Sequence, residues 1–233
     1  DSDEYQYMVL GKFPRADQMD SKGYMPLFLK ADLHYIPDER GFTDPRMGVD
    51  PAGEGKNETV WVVRDSFKAK IVSKEAISNP KSIAQKTLTL MDYYGVPSEQ
   101  VTIDAFGVGA NVSQELALVG LGVRVNALNV GEKSSEDRFL NKRAEYYWKM
   151  HEWLRGGGEL VRHEGWEQLL SIRYRRTLQG SIQIMSKREM LKEGYPSPDC
   201  PDALSLSFSG GTINAKEHHL QDSEVADIVG IYT

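Results

Sequence analysis

The sequence predicts an α/β protein built on a mixed sheet, in which three antiparallel strands are followed by parallel strands flanked by helices. Three short apolar segments come first, separated only by polar turns, at residues 46–50, 59–66 and 68–75. Helical and strand patterns then alternate over residues 80–128, an order typical of parallel strands joined by helices. A Gln-Gly turn between the alternating segments of residues 174–185 predicts an additional β-hairpin.

The remaining elements are predicted from local periodicity and capping residues. Residues 80–94 have apolar side chains near helical spacing, with Asn79 as the N-cap and Gly95 at the end. The other predictions are strands at 101–106 and 123–128, helices at 111–120 and 135–155, short helices at 166–174 and 186–194, and a loop leading into a last helix over 197–209.

The chain divides into three parts by its patterning. Residues 1–43 have no clean periodicity and are predicted to be an arm or linker with at most short helical pieces. Residues 44–209 carry all the regular elements above and form the main domain. Residues 210–233 are polar and weakly periodic, which predicts a C-terminal tail.

Composition excludes several classes of function. No apolar stretch approaches the roughly 18 residues that would span a bilayer, so no membrane partner is expected. Cys200 is the only cysteine, which excludes an intrachain disulfide and a Cys-rich zinc site and fits a reducing compartment. The net charge of −6 argues against bulk electrostatic binding of nucleic acid. Residues 155–192 are an exception, because basic side chains outnumber acidic ones there by eight to four.

Four aspartates are the candidate functional residues. Asp50 and Asp104 each end a predicted core strand, and Asp199 and Asp202 open the late helix. Each has an ordinary structural explanation, since strand exits are polar and acids stabilise helix starts. Together they predict a cluster at one sheet edge, which would persist in the ionised form mainly around a cation. Oxygen ligands suit Mg²⁺ or Mn²⁺, and two such ions about 4 Å apart can clamp the attacking and leaving oxygens of a phosphodiester.

Four stretches of the sequence resemble one protein family, both in their residues and in their order along the chain. They are GVDPAGEGKNETV (48–60), VTIDAFGVGANV (101–112), NVGEKSSEDRFLNKRAEYYWKM (129–150) and SPDCPDALSLSF (197–208). The order of strands, helices and acids resembles the RNase H-like nuclease fold. More narrowly, the stretches look like the C-terminal nuclease domain of the large terminase subunit of tailed bacteriophages, over roughly residues 44–209.

The resemblance assigns roles to individual residues. It places metal ligands at Asp50, Asp104 and Asp202, with Asp199 as a further or alternate ligand, and it places Lys187 at the scissile phosphate or a metal-bound oxygen. The hairpin is implied to grip the DNA backbone through sequence-independent contacts of Arg173, Arg175, Arg176 and Lys187. Charged and polar residues of the long helix are expected to organise that helix rather than to perform chemistry, namely Asn141, Arg143 and Glu145.

The resemblance also implies an activity and a setting. It implies a Mg²⁺- or Mn²⁺-dependent endonuclease that uses two ions to cut double-stranded phage DNA during genome packaging, with little sequence specificity. The family's large subunit carries an ATPase domain before the nuclease, and it works with the small terminase subunit and the portal in the cytoplasm of the infected bacterium. No GxxxxGK[ST] phosphate loop is present. The chain is therefore interpreted as the nuclease portion, with residues 1–43 as a linker from the ATPase domain.

Four alternatives remain open on the sequence. A dinucleotide-binding domain would need Gly or Ala where Val112 stands. An actin-like sugar kinase or ATPase also begins its first hairpin with an aspartate, as Asp-x-Gly, where this chain has Asp50-Pro51-Ala52-Gly53, and it would need a second phosphate loop that is not evident. A RuvC-like resolvase or transposase would share the catalytic acids and differ in substrate. A non-catalytic packaging module would not bind divalent metal.

Substitution of the acids is expected to separate activity from stability. Asp50→Ala, Asp104→Ala and Asp202→Ala should each abolish DNA cleavage without unfolding the domain. Each change removes one charge from a repulsive cluster, so the stability of the metal-free protein should hold or rise.

Overall fold

A computed structural model describes residues 19–38, 41–53, 58–105, 107–119 and 122–209. The predicted tail at 210–233 lies outside these ranges. Within them, no helix is both long and apolar enough to cross a bilayer.

A seven-stranded mixed sheet forms the centre of the fold, and a three-stranded sheet lies beside it. The strands are β1 (Met25–Pro26), β2 (His34–Ile36), β3 (Arg46–Asp50), β4 (Thr59–Arg64), β5 (Lys68–Glu75), β6 (Val101–Asp104), β7 (Asn126–Leu128), β8 (Glu159–Val161), β9 (Arg173–Arg176) and β10 (Ile182–Ile184). The large sheet has the order β2-β8-β5-β4-β3-β6-β7, and the small sheet has the order β1-β9-β10. Strands β3, β4 and β5 are antiparallel, whereas β6 and β7 continue the sheet in parallel. The predicted fold class is therefore confirmed.

Within the described residues, five α-helices pack around the sheets. They are α1 (Pro80–Tyr94), α2 (Val108–Val119), α3 (Lys142–Arg155), α4 (Lys187–Lys192) and α5 (Asp199–Leu206). The bounds of α1 agree with the prediction because both its caps are local. The Asn79 side chain accepts a hydrogen bond from the Ser82 backbone N–H, and Gly95 ends the helix at a φ of 64°.

Strand β4 is buried along its whole length because both faces of the large sheet are covered. Val60 and Val62 face the core that contains α3 and α5. Trp61 and Val63, which alternate with them, face the second core, against α1 and α2. Burial of each such side chain stabilises the fold by roughly 1.5 to 3 kcal/mol. The middle of the sheet is therefore a rigid base for the residues at its edge.

The segment before residue 44 contains strands, where the sequence analysis expected at most short helical pieces. Strand β1 pairs with β9, and β2 pairs in parallel with β8. Tyr24, Leu27 and Phe28 are buried in the core shared with α3. Strands of two and three residues are too short to show a periodic pattern. Their pairing partners also lie more than 100 residues away in the chain, so no local signal predicts them. The division of the chain into functional domains stays a prediction.

The long helix predicted at 135–155 begins later, at Lys142. Phe139 instead forms a bridge with Ile182 of β10, and the Asn141 side chain caps the helix by accepting from the Ala144 N–H. The apolar side chain of Phe139 therefore reflects its position beside β10 and not a helix face. Other corrections are smaller: the short helix predicted at 166–174 is a 3₁₀ helix at Glu164–Ser171, and the strand β8 was not predicted.

The predicted hairpin is confirmed as β9 and β10. Its turn is closed by a hydrogen bond of 2.9 Å from the Gly180 N–H to the Thr177 carbonyl oxygen. Gly180 has a φ of 86°, which a residue with a side chain rarely adopts. The base of the hairpin lies beside the N-terminus of α4, because Met185 follows β10 and donates its N–H to the Arg173 carbonyl oxygen.

Candidate metal centre

Two neighbouring strands end in aspartates at one edge of the large sheet. Asp50 is the last residue of β3 and Asp104 is the last residue of β6, and these strands pair in parallel. Asp50 is 6% exposed, so its carboxylate lies inside the protein. The strand ends therefore bring the two acids to the same edge, as the sequence predicts.

Helix α5 brings two more aspartates to this edge because it packs directly on β3. A Cβ atom at Gly48 would lie 1.9 Å from the carbonyl oxygen of Ala203, so only glycine allows this approach. Asp199 and Asp202 occupy the first turn of α5, and both are buried. Asp199 is oriented by the Ser197 hydroxyl, which donates to its Oδ1 at 2.5 Å.

Lys187 lies between the carboxylates of Asp50 and Asp202. Its Nζ is 2.8 Å from Asp202 Oδ2 and 3.4 Å from Asp50 Oδ2. The lysine is the first residue of α4, whose start is fixed by a reciprocal capping box between Ser186 and Glu189. Lys187 was singled out in the sequence for a phosphate contact, and the structure places it at the carboxylates themselves.

The pKa values of Asp50 and Asp202 are shifted in opposite directions. Burial is the main cause that raises the pKa of Asp50 far above its ordinary value; neighbouring Asp202, Asp199 and Asp104 raise it further, and Lys187 opposes them. Burial also acts to raise the pKa of Asp202, but Lys187 and Arg143 outweigh it and lower that pKa. The charge of Asp202 is therefore compensated by two cations, whereas the surroundings of Asp50 disfavour its ionised form.

This difference changes the expectation for Asp202. Mutual repulsion among all the acids predicts that removal of any one leaves the stability unchanged or higher. Asp202 is instead the partner of two cations, and its removal would leave Lys187 and Arg143 without their shared carboxylate.

Arg143 and Tyr147 of α3 are site residues that the sequence reasoning missed. Arg143 was assigned only to the organisation of its helix, and Tyr147 was not considered. In the structure the Tyr147 hydroxyl donates to Asp202 Oδ1 at 2.5 Å, and Arg143 Nη2 lies 3.3 Å from the same oxygen. Arg143 and Tyr147 are four residues apart, so both lie on one face of the helix, and this spacing can be read from the sequence. Their partner, Asp202, lies more than 50 residues further along the chain.

The donor set fits a hard divalent cation. The acids supply only carboxylate oxygens, the ligands that Mg²⁺ and Mn²⁺ prefer. The ammonium of Lys187 already marks a point where a cation is held between two of them. Across the described ranges, no three His, Cys, Asp or Glu side chains stand close enough to enclose an ion as they are placed. The assignment of Asp50, Asp104, Asp199 and Asp202 as ligands stays a prediction.

Gly109, which follows Asp104 at the start of α2, has a packing role. A Cβ at Gly109 would lie 1.6 Å from the carbonyl oxygen of Asp104, so α2 can start against the strand end only with glycine there. This close approach accounts for the glycine at position 109 by packing alone.

The predicted DNA-binding arginines lie on β9 in two different settings. Arg173 lies over the Tyr195 ring and donates to the carbonyl oxygen of Leu170. Arg175 lies over the Tyr24 ring and donates to the Gln183 side chain. The ring and hydrogen-bond partners of both guanidinium groups are neutral, and Arg175 also lies near the Glu189 carboxylate, whose pKa it helps to lower. The third arginine, Arg176, donates to the Gly180 carbonyl oxygen at the hairpin turn.

Comparison with solved structures identifies the fold. A mutant nuclease domain of the large terminase subunit gp2 of bacterial virus Sf6, with manganese and beta-thujaplicinol, aligns at 19% identity and a TM-score of 0.61, over 72% of this chain and 89% of that one. The large terminase nuclease from thermophilic phage G20c, with bound magnesium, aligns at 20% identity and 0.56, over 77% and 93%. The nuclease domain from Thermus phage P74-26 aligns at 19% and 0.54, over 77% and 91%. No protein-family model and no curated protein matches the sequence.

The fold is thus the predicted RNase H-like fold, a mixed sheet with acids at the ends of adjacent strands. Within that class, the chain shares its architecture with the nuclease domains of phage large terminase subunits.

Proposed function

We propose that this chain is a metal-dependent endonuclease domain that cuts double-stranded DNA during phage genome packaging. The observation that supports it most directly is the convergence of Asp50 and Asp202 on one cation, the Lys187 ammonium, at the sheet edge where Asp104 also ends its strand. Burial and neighbouring carboxylates raise the pKa of Asp50, so its ionised form lacks full compensation in the metal-free protein. A divalent cation would supply that compensation.

The proposed ligands are Asp50, Asp104 and Asp202, with Asp199 as a further or alternate ligand. Two bound Mg²⁺ or Mn²⁺ ions would supply an activated water and stabilise the departing oxygen of the phosphodiester. The chain's own part is to hold the acids on rigid elements: two strand ends and the first turn of α5.

Lys187 has a second position available in this proposal. Its side chain is 43% exposed, whereas those of its two partners are about 10% exposed or less. The ammonium can therefore leave the carboxylates toward solvent without unpacking the core. From there it would contact the scissile phosphate, the role that the resemblance implies.

The proposal includes the setting of the reaction. The substrate is duplex DNA, held by backbone contacts of the hairpin arginines and cut with little sequence specificity. The proposed partners of the full-length protein are an ATPase domain, the small terminase subunit and the portal, in the cytoplasm of the infected bacterium.

A plasmid assay tests the activity. Supercoiled DNA would be incubated with the wild type in Mg²⁺, Mn²⁺ or EDTA, and with Asp104→Ala under the same conditions. We expect nicking and linearisation in either metal, and none in EDTA or in the variant. A wild type that neither cuts in any metal nor binds Mn²⁺ by calorimetry would instead be a non-catalytic packaging module. Preferential cutting of a four-way junction over the plasmid would favour a resolvase.

The hairpin arginines are expected to contribute most of the salt dependence of DNA binding. Simultaneous change of Arg173, Arg175 and Arg176 to glutamine should weaken binding and reduce the slope of log K against log salt by about 1 to 3, since each lost phosphate contact removes close to one unit. Glutamine keeps part of the stem that packs on Tyr24 and Tyr195. Fluorescence anisotropy over a range of salt concentrations measures both quantities.

The matched control changes three exposed lysines elsewhere, Lys30, Lys81 and Lys133, to glutamine. The control has the same net charge as the arginine variant, so an equal slope in both would show that the hairpin is not the DNA-binding surface.

A further inference from the structure

Asp202 is held by a pair of residues that are themselves fixed. Besides its contact with Asp202, Arg143 donates from Nη1 to the Met185 carbonyl oxygen at 2.7 Å, and its guanidinium lies over the Tyr147 ring at 4.8 Å. Tyr147 is fully buried in the core. The Asp202 carboxylate therefore has one oxygen, Oδ1, bonded to two anchored donors, while its Oδ2 faces Lys187.

We infer that Arg143 and Tyr147 are positioning residues that orient Asp202 so that it offers Oδ2, and not Oδ1, to a divalent cation. A cation that reached Oδ1 would have to displace a buried hydroxyl and a guanidinium, and would leave both donors unsatisfied inside the protein. Asp202 therefore binds through a single oxygen. The inference rests on the proposed function, because it concerns the cation that the function requires.

The orientation matters because Asp50 is oriented toward the same point. The Oδ2 atoms of Asp50 and Asp202 both face the Lys187 ammonium. Rotation of the Asp202 carboxylate by a quarter turn about its Cβ–Cγ bond would move Oδ2 away from that shared point. The hydrogen bonds from α3 therefore determine whether Asp50 of β3 and Asp202 of α5 can bind the same ion.

A purely structural role for these residues makes a different prediction. The same contacts connect α3 to α5, so their loss could lower stability without any effect on metal binding in the folded protein. A positioning role predicts weaker metal binding and a lower kcat in protein that is still folded, with the KM for DNA unchanged, because neither residue is proposed to touch DNA.

The test compares Tyr147→Phe with Tyr146→Phe by calorimetric titration with Mn²⁺. The first change removes only the hydroxyl that bonds Asp202; the second removes the same group from the neighbouring residue, which has no contact with Asp202. We expect the Kd for Mn²⁺ to rise about tenfold in Tyr147→Phe, the usual effect of losing a partner of a metal ligand, and to stay at the wild-type value in Tyr146→Phe. In plasmid nicking, kcat should fall with KM unchanged.

A second variant, Arg143→Lys, removes the guanidinium fork and keeps the charge, and the same weakening is expected. Near-ultraviolet circular dichroism establishes that each variant is folded. Wild-type Mn²⁺ affinity in folded Tyr147→Phe or Arg143→Lys would overturn the positioning role and leave the proposed function intact. A wild-type protein that binds no Mn²⁺ would overturn both.

Discussion

Asp50→Asn and Asp202→Asn are expected to abolish cleavage equally and to change the stability of the metal-free protein in opposite directions. Loss of a ligand should reduce plasmid nicking by more than about 100-fold in both, since even the loss of a ligand's partner costs 10- to 100-fold. The free energy of unfolding, measured with urea in EDTA at pH 7, should rise by roughly 2 kcal/mol for Asp50→Asn. For Asp202→Asn it should fall by roughly 3 kcal/mol.

The sign for Asp50 follows from its raised pKa. In the folded protein the ionised form is disfavoured by burial and by the other three aspartates, whereas the unfolded chain ionises near pH 4. This group therefore contributes stability at low pH that is lost as the pH rises through the folded pKa. Asn carries no charge, so the variant avoids that loss, and the gain over the wild type should shrink as the pH is lowered toward 4.

The sign for Asp202 is the reverse because its pKa is lowered by Lys187 and Arg143 against the effect of burial. Its ionised form stabilises the fold above the unfolded pKa, and that contribution is lost as the pH falls through the folded pKa. Asp92→Asn is the control, since this substitution makes the same chemical change at an exposed position of α1. Equal stability shifts for Asp50→Asn and Asp202→Asn would contradict the assigned charge balance.

Gly48→Ala is expected to inactivate the protein without altering any charged residue. The new Cβ would lie 1.9 Å from the Ala203 carbonyl oxygen and 3.0 Å from the Ser207 N–H nitrogen, so α5 must move away from β3. Both of these atoms belong to backbone, which cannot rotate aside. The free energy of unfolding should fall by about 3 kcal/mol, at the upper end of the cost of overpacking. Cleavage should fall with it, because Asp199 and Asp202 move with the helix.

Gly53→Ala is the matched control, since a Cβ there meets no atom within 4 Å and Gly53 lies three residues from Asp50. Urea unfolding and the plasmid assay on both variants, with Mn²⁺ titration of the folded fraction, separate instability from a displaced helix. If Gly48→Ala cleaves DNA at the wild-type rate, the close packing of α5 on β3 does not determine the position of the acids on α5.

Elements with local signals were predicted well. Helix α1 has both its caps within its own segment, and strands β3, β4 and β5 follow one another through short turns, so their pairing requires no distant information. The convergence of Asp50 and Asp104 could be anticipated for the same reason, because parallel neighbouring strands end at one edge.

Features that depend on distant partners could not be predicted. Strand β8 has three residues and lies between β2 and β5, neither of which is near it in sequence. The start of α3 was misplaced because Phe139 is apolar for pairing with Ile182, and not for a helix face. The role of Tyr147 depends on Asp202, and no periodicity of α3 indicates which side chain from another helix will meet it.

The pairing of β1 with β9 gives the N-terminal side of the domain a mechanical connection to the hairpin. Besides the strand pairing, the carbonyl oxygen of Lys22 accepts from Arg175, and the Lys22 ammonium forms an ion pair with Glu193, next to the end of α4. Tension applied ahead of residue 22 would therefore load the hairpin and α4, the helix that begins with Lys187, before it reached the central sheet. Pulling on this end of the chain would act first on the hairpin and α4, which are proposed to contact DNA, and last on the strands that carry the acids.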